Sequence, residues 1–134
     1  MVNPNSNLKE KSVVRVPAIR LVMLPRDTNP LGSIFGGVIL SLIDLAAGQH
    51  ARTIAAKKYV TKVMREVEFI APVYVGDSVS FYTSTQKIGK TSIDIIVDVE
   101  VERGFGAIQK ISVTTAEVVM VAVNDQNQPI PVLS

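Results

Sequence analysis

The sequence predicts an α+β fold in which a curved antiparallel β-sheet wraps around one long central α-helix. A segment from about residue 35 to about residue 56 lacks proline and is dense in Ala, Leu and Ile, as a helix would be. A later segment alternates Ile and Val with Asp and Glu from Ile93 to Glu102, which is typical of a strand with one buried face. A helix that is apolar nearly all round and a sheet with one apolar face bury each other only if the sheet curves around the helix.

The other elements are predicted from the turn-forming residues and from the spacing of the apolar residues. A first strand is expected over residues 13–24, limited by Pro17 to an edge or a bend. Pro30 and Gly32 predict a turn, after which Ser33 is the expected N-cap of the helix. The strands after the helix are expected in meander-like succession over residues 63–69, 78–88, 93–101 and 108–123, with polar turn residues at 124–127.

The length and composition limit the classes of protein that are compatible with the sequence. At 134 residues the chain predicts a tail over 1–12 and a single domain over 13–134. Its formal charge of +2 is not typical of a nucleic-acid-binding protein. Without cysteine it has no disulfide, thiol nucleophile or Cys metal site, which fits a reducing cytoplasm. No secretory signal is evident, and the helix is too short and too polar at its far end for a membrane span.

Asp44 is the most informative single residue. It lies in an otherwise apolar run of the predicted helix, so we expect its carboxylate to be largely buried. An unpaired buried carboxylate is costly, so Asp44 is either paired for structural reasons or present for chemistry.

Two motifs carry a family resemblance. Residues 27–37 read Asp-Thr-Asn-x-x-Gly-x-Ile-Phe-Gly-Gly, with Asp44 seven residues after the second Gly, and residues 68–77 read Glu-Phe-Ile-Ala-Pro-Val-Tyr-Val-Gly-Asp. Together they resemble the acyl-CoA thioesterases of the hotdog fold, over about residues 16–126. Within that family the motifs most resemble those of the cytosolic acyl-CoA hydrolases and their small single-domain bacterial relatives.

The resemblance implies hydrolysis of an acyl-CoA to a free acid and CoA. Asp44 would be the catalytic base or nucleophile, and Asn29 would orient water or polarise the thioester. By itself an Asn before Pro is usually only a turn former. In the family these two residues of one site come from different subunits, which implies a homodimer with shared sites, and a hexamer built as a trimer of dimers.

Gly36 and Gly37 begin the predicted helix. Their simplest role is close packing against the sheet. A bare backbone N–H at a helix N-terminus is also suited to stabilise an oxyanion, and we expect Gly37 to be that donor. Both roles are compatible.

Two turns are further candidates for substrate binding. Gly89-Lys90-Thr91 lacks the spacing of a phosphate-binding loop and predicts an ordinary hairpin turn. The resemblance places this turn, with Ser92, close to CoA, and makes the turn Val75-Gly76-Asp77 a second candidate wall of the CoA groove. Candidates for the nucleotide end of CoA are five basic residues, Arg52, Lys57, Lys58, Lys87 and Lys90.

Several alternatives stay open. We expect His50 and Ser41 to be structural, and we expect no metal or cofactor, since a thioester is already activated. The rival function is a non-catalytic acyl-CoA-binding or lipid-sensing module on the same fold. A hydratase of this fold ranks low because His50 lies in the wrong place. A carrier-protein thioester and the acyl length are not decided by the sequence.

Overall fold

The computed structural model describes residues 15–134. The predicted tail and the first two residues of the predicted domain lie outside this range. Helix α1 spans Gly36–Ile54, after a short 3-10 turn at Pro25–Asp27. The strands are β1 Ile19–Val22, β2 Lys58–Arg65, β3 Ser78–Ile88, β4 Ser92–Arg103 and β5 Gln109–Val123.

The five strands form one antiparallel sheet in the order β1-β3-β4-β5-β2. The predicted meander is therefore correct for β3, β4 and β5 but wrong for β2, which pairs with β5 at the far edge. The reason lies in α1, because this helix follows β1 and carries the chain across the concave face of the sheet. The strand after the helix consequently begins at the opposite edge.

The core lies between α1 and the concave face, as predicted. The helix packs against β2, β3, β4 and β5. Its buried residues are Ile39, Ile43, Ala46, Ala47 and Ala51. The inward residues of β4 are fully buried opposite them: Ile93, Ile95, Val97, Val99 and Val101. Within the described part of the chain, no helix is long and apolar enough to cross a membrane.

Three local predictions are wrong. The first strand covers only Ile19–Val22 of the predicted range 13–24, of which residues 15–24 are described. Strand β2 ends at Arg65 instead of continuing to residue 69, because Glu66 has a left-handed backbone (φ 58°) that breaks the ladder. The helix N-cap is Phe35, without a side-chain cap, and not Ser33. Ser33 instead takes part in the preceding turn, where its hydroxyl accepts a hydrogen bond from Asn29.

The helix is not enclosed on every side within one chain. Leu45 is 58% exposed and Ser41 is also exposed. The sheet covers one side of α1, so the face that carries these residues lies open. This face leads to the candidate site.

Candidate active site

Asp44 lies on the open side of α1 and is half-buried. The prediction that it is largely buried is therefore wrong for the single chain, because the sheet does not reach this face of the helix. The Thr61 hydroxyl donates a hydrogen bond to Asp44 Oδ1 at 2.5 Å. Asp44 Oδ2 accepts no hydrogen bond from any residue between 15 and 134, which leaves one carboxylate oxygen available.

A cavity of about 280 Å³ opens beside this carboxylate, between α1 and the edge strand β2. The residues that line it are Asp44, Leu45, Gly48, Gln49, Arg52, Tyr59, Thr61 and Met120. The site is thus a carboxylate held by one hydroxyl at the wall of a solvent-accessible groove.

Thr61 is a site residue that the sequence did not indicate. It pairs with Met120 of β5, and the register shifts at the next residue of β2. This β-bulge resets the alternation, so the inward positions before it do not continue the pattern read from Val63 onward. A bulge carries no sequence signature here that would have revealed the contact with Asp44.

Asn29 stabilises the turn that precedes the helix. Its Oδ1 accepts hydrogen bonds from the backbone N–H groups of Leu31 and Ser33, at 2.8 and 3.3 Å. Its Nδ2 donates to the Ser33 hydroxyl at 3.0 Å. An amide NH₂ has two hydrogens, so the same group retains a donor for a second partner.

Gly36 and Gly37 lie in the first turn of α1, where backbone N–H groups have no partner within the helix. Neither N–H is hydrogen-bonded to another described residue. A Cβ at position 37 would lie 2.4 Å from the Phe35 ring, so a side chain there would displace that ring. These two N–H groups are available to an incoming oxygen atom.

A second cavity, of about 330 Å³, lies at this end of the helix. Its lining residues are Ser33, Ile34, Gly36, Ile39, Phe69, Ile70, Ala71, Pro72 and Val73. Ser33 is the only polar side chain among them. This cavity is therefore suited to an apolar group.

Within one chain the predicted catalytic residues do not converge. Gly37 and Asp44 are seven residues apart on one helix, which separates them by about 10 Å along its axis. A single thioester carbonyl cannot contact both groups at that distance. Asn29 lies in the loop that leads into the Gly37 end of the helix. The Phe35 N–H, just before the helix, donates a hydrogen bond to Asp27 O and so holds this loop at that end.

The predicted substrate-binding turns are also separated. Val75 and Gly76 precede β3, whereas the turn of residues 89–92 follows it. A strand of 11 residues separates such turns by about 35 Å. Residues 89–92 form the expected hairpin turn, closed by Gly89 N–H and Ser92 O at 2.8 Å, at the end of the sheet where α1 ends. One chain therefore does not unite the two turns in one site.

A buried ion pair secures the turn of residues 72–77. Asp77 is 2% exposed and receives Arg103 Nε and Nη2 at 2.9 and 2.8 Å. The Tyr74 N–H donates to the same carboxylate at 2.8 Å. Burial by itself raises the pKa of Asp77, but the hydrogen bonds from Arg103 and Tyr74 outweigh it and hold the pKa below its ordinary value.

The side chains that we expected to be structural are engaged locally. His50 Nδ1 and Nε2 lie 2.9 and 2.7 Å from the hydroxyls of Thr83 and Thr85 on β3, and burial lowers its pKa. The Ser41 hydroxyl donates to Val38 O at 2.7 Å. Residues 15–134 contain no cluster of His, Asp and Glu that would hold a metal ion.

The architecture and the helix-borne carboxylate define the class of protein. The fold is the hotdog fold, since the structure matches a hexameric hotdog-fold thioesterase of Campylobacter jejuni with a TM-score of 0.82. The two sequences are 41% identical, over 86% of this chain and 88% of that one. The model of the thioesterase superfamily matches residues 31–105, more than half of the chain. This chain belongs to the thioesterase superfamily, as the motifs predicted.

Two proteins with similar sequences are described as acyl-CoA thioester hydrolases. An acyl-CoA thioester hydrolase of Salmonella typhimurium is 36% identical over 115 residues, which cover 84% of this chain and 86% of that protein. An uncharacterized acyl-CoA thioester hydrolase of Zymomonas mobilis is 37% identical over 97 residues, which are 72% of this chain. The match covers 65% of the Zymomonas protein, slightly under two thirds of its length.

Proposed function

We propose that this protein hydrolyses the thioester of acyl-CoA to a free carboxylic acid and CoA. The observation that carries the proposal is the Asp44 carboxylate, held at Oδ1 by Thr61 and open at Oδ2, at the wall of a groove. Relatives described as acyl-CoA thioester hydrolases support the same reaction and substrate class.

Asp44 has two possible roles, and both need the open oxygen. As a general base, Oδ2 takes a proton from water while the water oxygen attacks the thioester carbon. The tetrahedral intermediate then expels the CoA thiolate, which takes the proton back from Asp44. As a nucleophile, Oδ2 attacks the carbonyl carbon directly and expels the thiolate, and water then hydrolyses the mixed anhydride. Asp44→Asn removes both routes.

The oxyanion donor comes from a second copy of the chain. Gly37 and Asp44 of one chain are too far apart for a single carbonyl, but a two-fold dimer with antiparallel helices brings the Gly36–Gly37 end of one chain to the Asp44 of the other. Asn29, in the loop before α1, lies at the same end of that chain. The N–H groups at the start of α1 then stabilise the oxyanion with the help of the helix dipole.

The surface around Asp44 supports such a dimer. Strand β2 lies at an edge of the sheet, and one row of its backbone groups has no partner strand within residues 15–134. Leu45, which lines the groove beside β2, is 58% exposed. Pairing of two β2 edges would cover this side chain, and three such dimers would form a hexamer, the assembly described for the Campylobacter relative.

The apolar cavity beside Gly36 is suited to the acyl chain. Its walls are formed by residues 69–73 and by the start of α1. We also propose that the reaction needs no metal or cofactor and that the protein acts in the cytoplasm.

The first experiment is free-thiol release from a panel of acyl-CoAs, from acetyl to palmitoyl. Wild type should turn over part of the panel, and Asp44→Asn should lower kcat by about 10³-fold, in the range that a lost general base costs. Thermal unfolding should show that the variant is folded. Turnover by Asp44→Asn at the wild-type rate would contradict the mechanism. Tight acyl-CoA binding without turnover by wild type would favour the binding-module alternative.

Subunit mixing tests the shared site. Asp44→Asn and Asn29→Ala chains, each inactive alone, are co-expressed so that dimers form at random. Half of the dimers are mixed and carry one intact site of two, so about one quarter of the wild-type activity should return. Mixed dimers would stay inactive if Asn29 and Asp44 of the same chain formed the site.

A further inference from the structure

We propose that the groove from Asp44 to Arg52 holds a phosphopantetheine arm and that the Arg52 guanidinium binds its phosphate. The inference rests on the proposed function and deepens it, since it assigns the part of the substrate that is recognised and the residue that recognises it. The ligand chemistry is a phosphate monoester or diester at the end of a pantetheine chain. CoA and the prosthetic group of a carrier protein share this chemistry.

The spacing along the helix fits this ligand. Asp44, Gly48 and Arg52 follow one another at intervals of four residues and line the same cavity. Eight residues of helix separate Asp44 from Arg52 by about 12 Å, to which the arginine side chain adds several ångström. The sulfur and phosphorus of extended phosphopantetheine are about 16 Å apart, taking about 3.5 Å for each peptide-like unit of three bonds. A thioester at Asp44 therefore brings the phosphate to the guanidinium.

The wall between these two residues leaves room for the arm. Gly48 lies midway and presents no side chain, and a Cβ there would make ordinary contact with Met120 at 3.7 Å. Tyr59 forms the wall at the far end of the cavity and donates its hydroxyl to Ala55 O. The groove is thus partly apolar, with polar groups at both ends.

Arg52 is singled out among the basic residues by its place and by its lack of partners. Of the five predicted candidates it alone lines the cavity with Asp44. Lys57 Nζ donates to Pro131 O and Lys58 Nζ to Asn127 Oδ1, so both ammonium groups are engaged by the C-terminal segment. Arg52 makes no ion pair or hydrogen bond through its side chain with any residue in the range 15–134. A charged guanidinium without a partner beside a groove is suited to an anion.

The two cavities differ in polarity, and this difference determines which end of the substrate each of them would hold. The cavity at the start of α1 has a single polar side chain, Ser33, and suits an acyl chain. The Asp44 groove ends at a guanidinium, which would disfavour an alkyl tail and favour a phosphate. The thioester then lies between an apolar acyl side and a basic pantetheine side.

A second role for Arg52 must be separated from this one. It lies in the last turn of α1, where a positive charge stabilises the helix through its dipole. That role would affect every substrate equally. Phosphate binding would affect only substrates that carry the phosphate.

The experiment therefore compares three thioesters with the same acyl group, on pantetheine, on 4′-phosphopantetheine and on CoA. Arg52→Gln should raise KM about tenfold for the phosphopantetheine and CoA thioesters, with kcat nearly unchanged, because a charge-assisted contact to the phosphate is lost. KM for the pantetheine thioester should stay at the wild-type value. Arg52→Lys keeps the charge and should restore part of the affinity. Lys110→Gln, at the other end of the sheet, removes one exposed positive charge as a matched control.

Other outcomes overturn the assignment. An equal loss on all three thioesters would reveal a structural role, and a loss on the CoA thioester alone would place Arg52 at the nucleotide. An equal rise in KM with Lys110→Gln would show that the effect of Arg52→Gln comes from the change in net charge. Acyl-CoA and an acylated carrier protein, assayed side by side, show which source delivers the arm, and each should depend on Arg52.

Binding measurements separate this inference from the proposed function. CoA and 4′-phosphopantetheine, as free thiols, are titrated calorimetrically into wild type and Arg52→Gln. If wild type hydrolyses no thioester, the proposed function fails, yet Arg52-dependent binding of phosphopantetheine still supports the phosphate site. Binding that is equal in the two proteins overturns the phosphate site even if hydrolysis is observed.

Discussion

Asp44 and Asp77 are two aspartates in contrasting surroundings. Asp77 is 2% exposed, and both of its oxygens accept hydrogen bonds, from Arg103 and from the Tyr74 N–H. Asp44 is half-buried, receives one hydroxyl at Oδ1 and faces a groove. Both oxygens of the first carboxylate are engaged, whereas the second carboxylate has one oxygen to offer.

The extent of hydrogen bonding distinguishes a carboxylate with a structural role from one that is available for chemistry. Complete pairing compensates the cost of burying Asp77 and ties the turn of residues 72–77 to the end of β4. Incomplete pairing at Asp44 is tolerable because water reaches the groove. A carboxylate that is positioned but not saturated is the arrangement that acid–base or nucleophilic chemistry needs.

The largest effect on stability is expected for Asp77→Asn. The neutral amide leaves the half-buried Arg103 guanidinium without its counter-charge and presents either an NH₂ group or a weaker acceptor to it. The free energy of unfolding should fall by about 3 kcal/mol, as when one partner of a buried pair is removed. Urea denaturation at pH 7 measures this loss.

Two controls accompany that measurement. Asp125→Asn, in the exposed turn after β5, should change the unfolding free energy by no more than about 0.5 kcal/mol. Asp44→Asn should also leave stability close to that of wild type, while it removes turnover. If Asp44→Asn destabilised the fold as much as Asp77→Asn, the division between the two aspartates would be wrong.

The same comparison shows how far sequence reasoning reached. The strand over residues 78–88 and the helix were predicted within about two residues, because period and turn residues are local signals. The pairing of β2 with β5 was missed, since it joins segments more than 40 residues apart and depends on the path of α1. Asp44 was expected in the interior because its neighbours are apolar, but part of that apolar surface lies on the open face of the helix.

Side-chain partners were the least predictable part of the site. The sequence indicates Asp77 only as part of a family motif and of a candidate CoA-groove turn, because nothing local pairs it with Arg103, which lies 26 residues further along the chain. Thr61 was missed because a β-bulge determines which way it faces. The motif at residues 27–44 identified the family, and the geometry around it required the structure.

Thr61 is the one described residue whose side chain donates a hydrogen bond to the Asp44 carboxylate. Thr61→Val keeps the shape of the side chain and removes the donor, so the carboxylate should sample other orientations. We expect kcat to fall about tenfold with KM little changed, since small errors in orientation are costly. Thr61→Ser restores the hydroxyl and should restore kcat. A loss of kcat that serine does not restore, or a matching loss of stability, would make Thr61 a packing residue only.

The smallest effect is the pH dependence of the Asp77 contribution to stability. The pKa of Asp77 is held below its ordinary value in the folded protein, so the folded state favours the charged form more than the unfolded chain does. The stabilisation is therefore complete above the unfolded pKa of about 4 and is lost as the pH falls through the lower, folded pKa. The difference in unfolding free energy between wild type and Asp77→Asn should be constant from pH 8 to pH 5 and shrink below about pH 4. Urea titrations of both proteins at pH 7, 5, 4 and 3 measure it. A difference that persisted unchanged at pH 3 would show that the stability of the turn does not come from the charge of Asp77, and the contrast with Asp44 would then rest on burial alone.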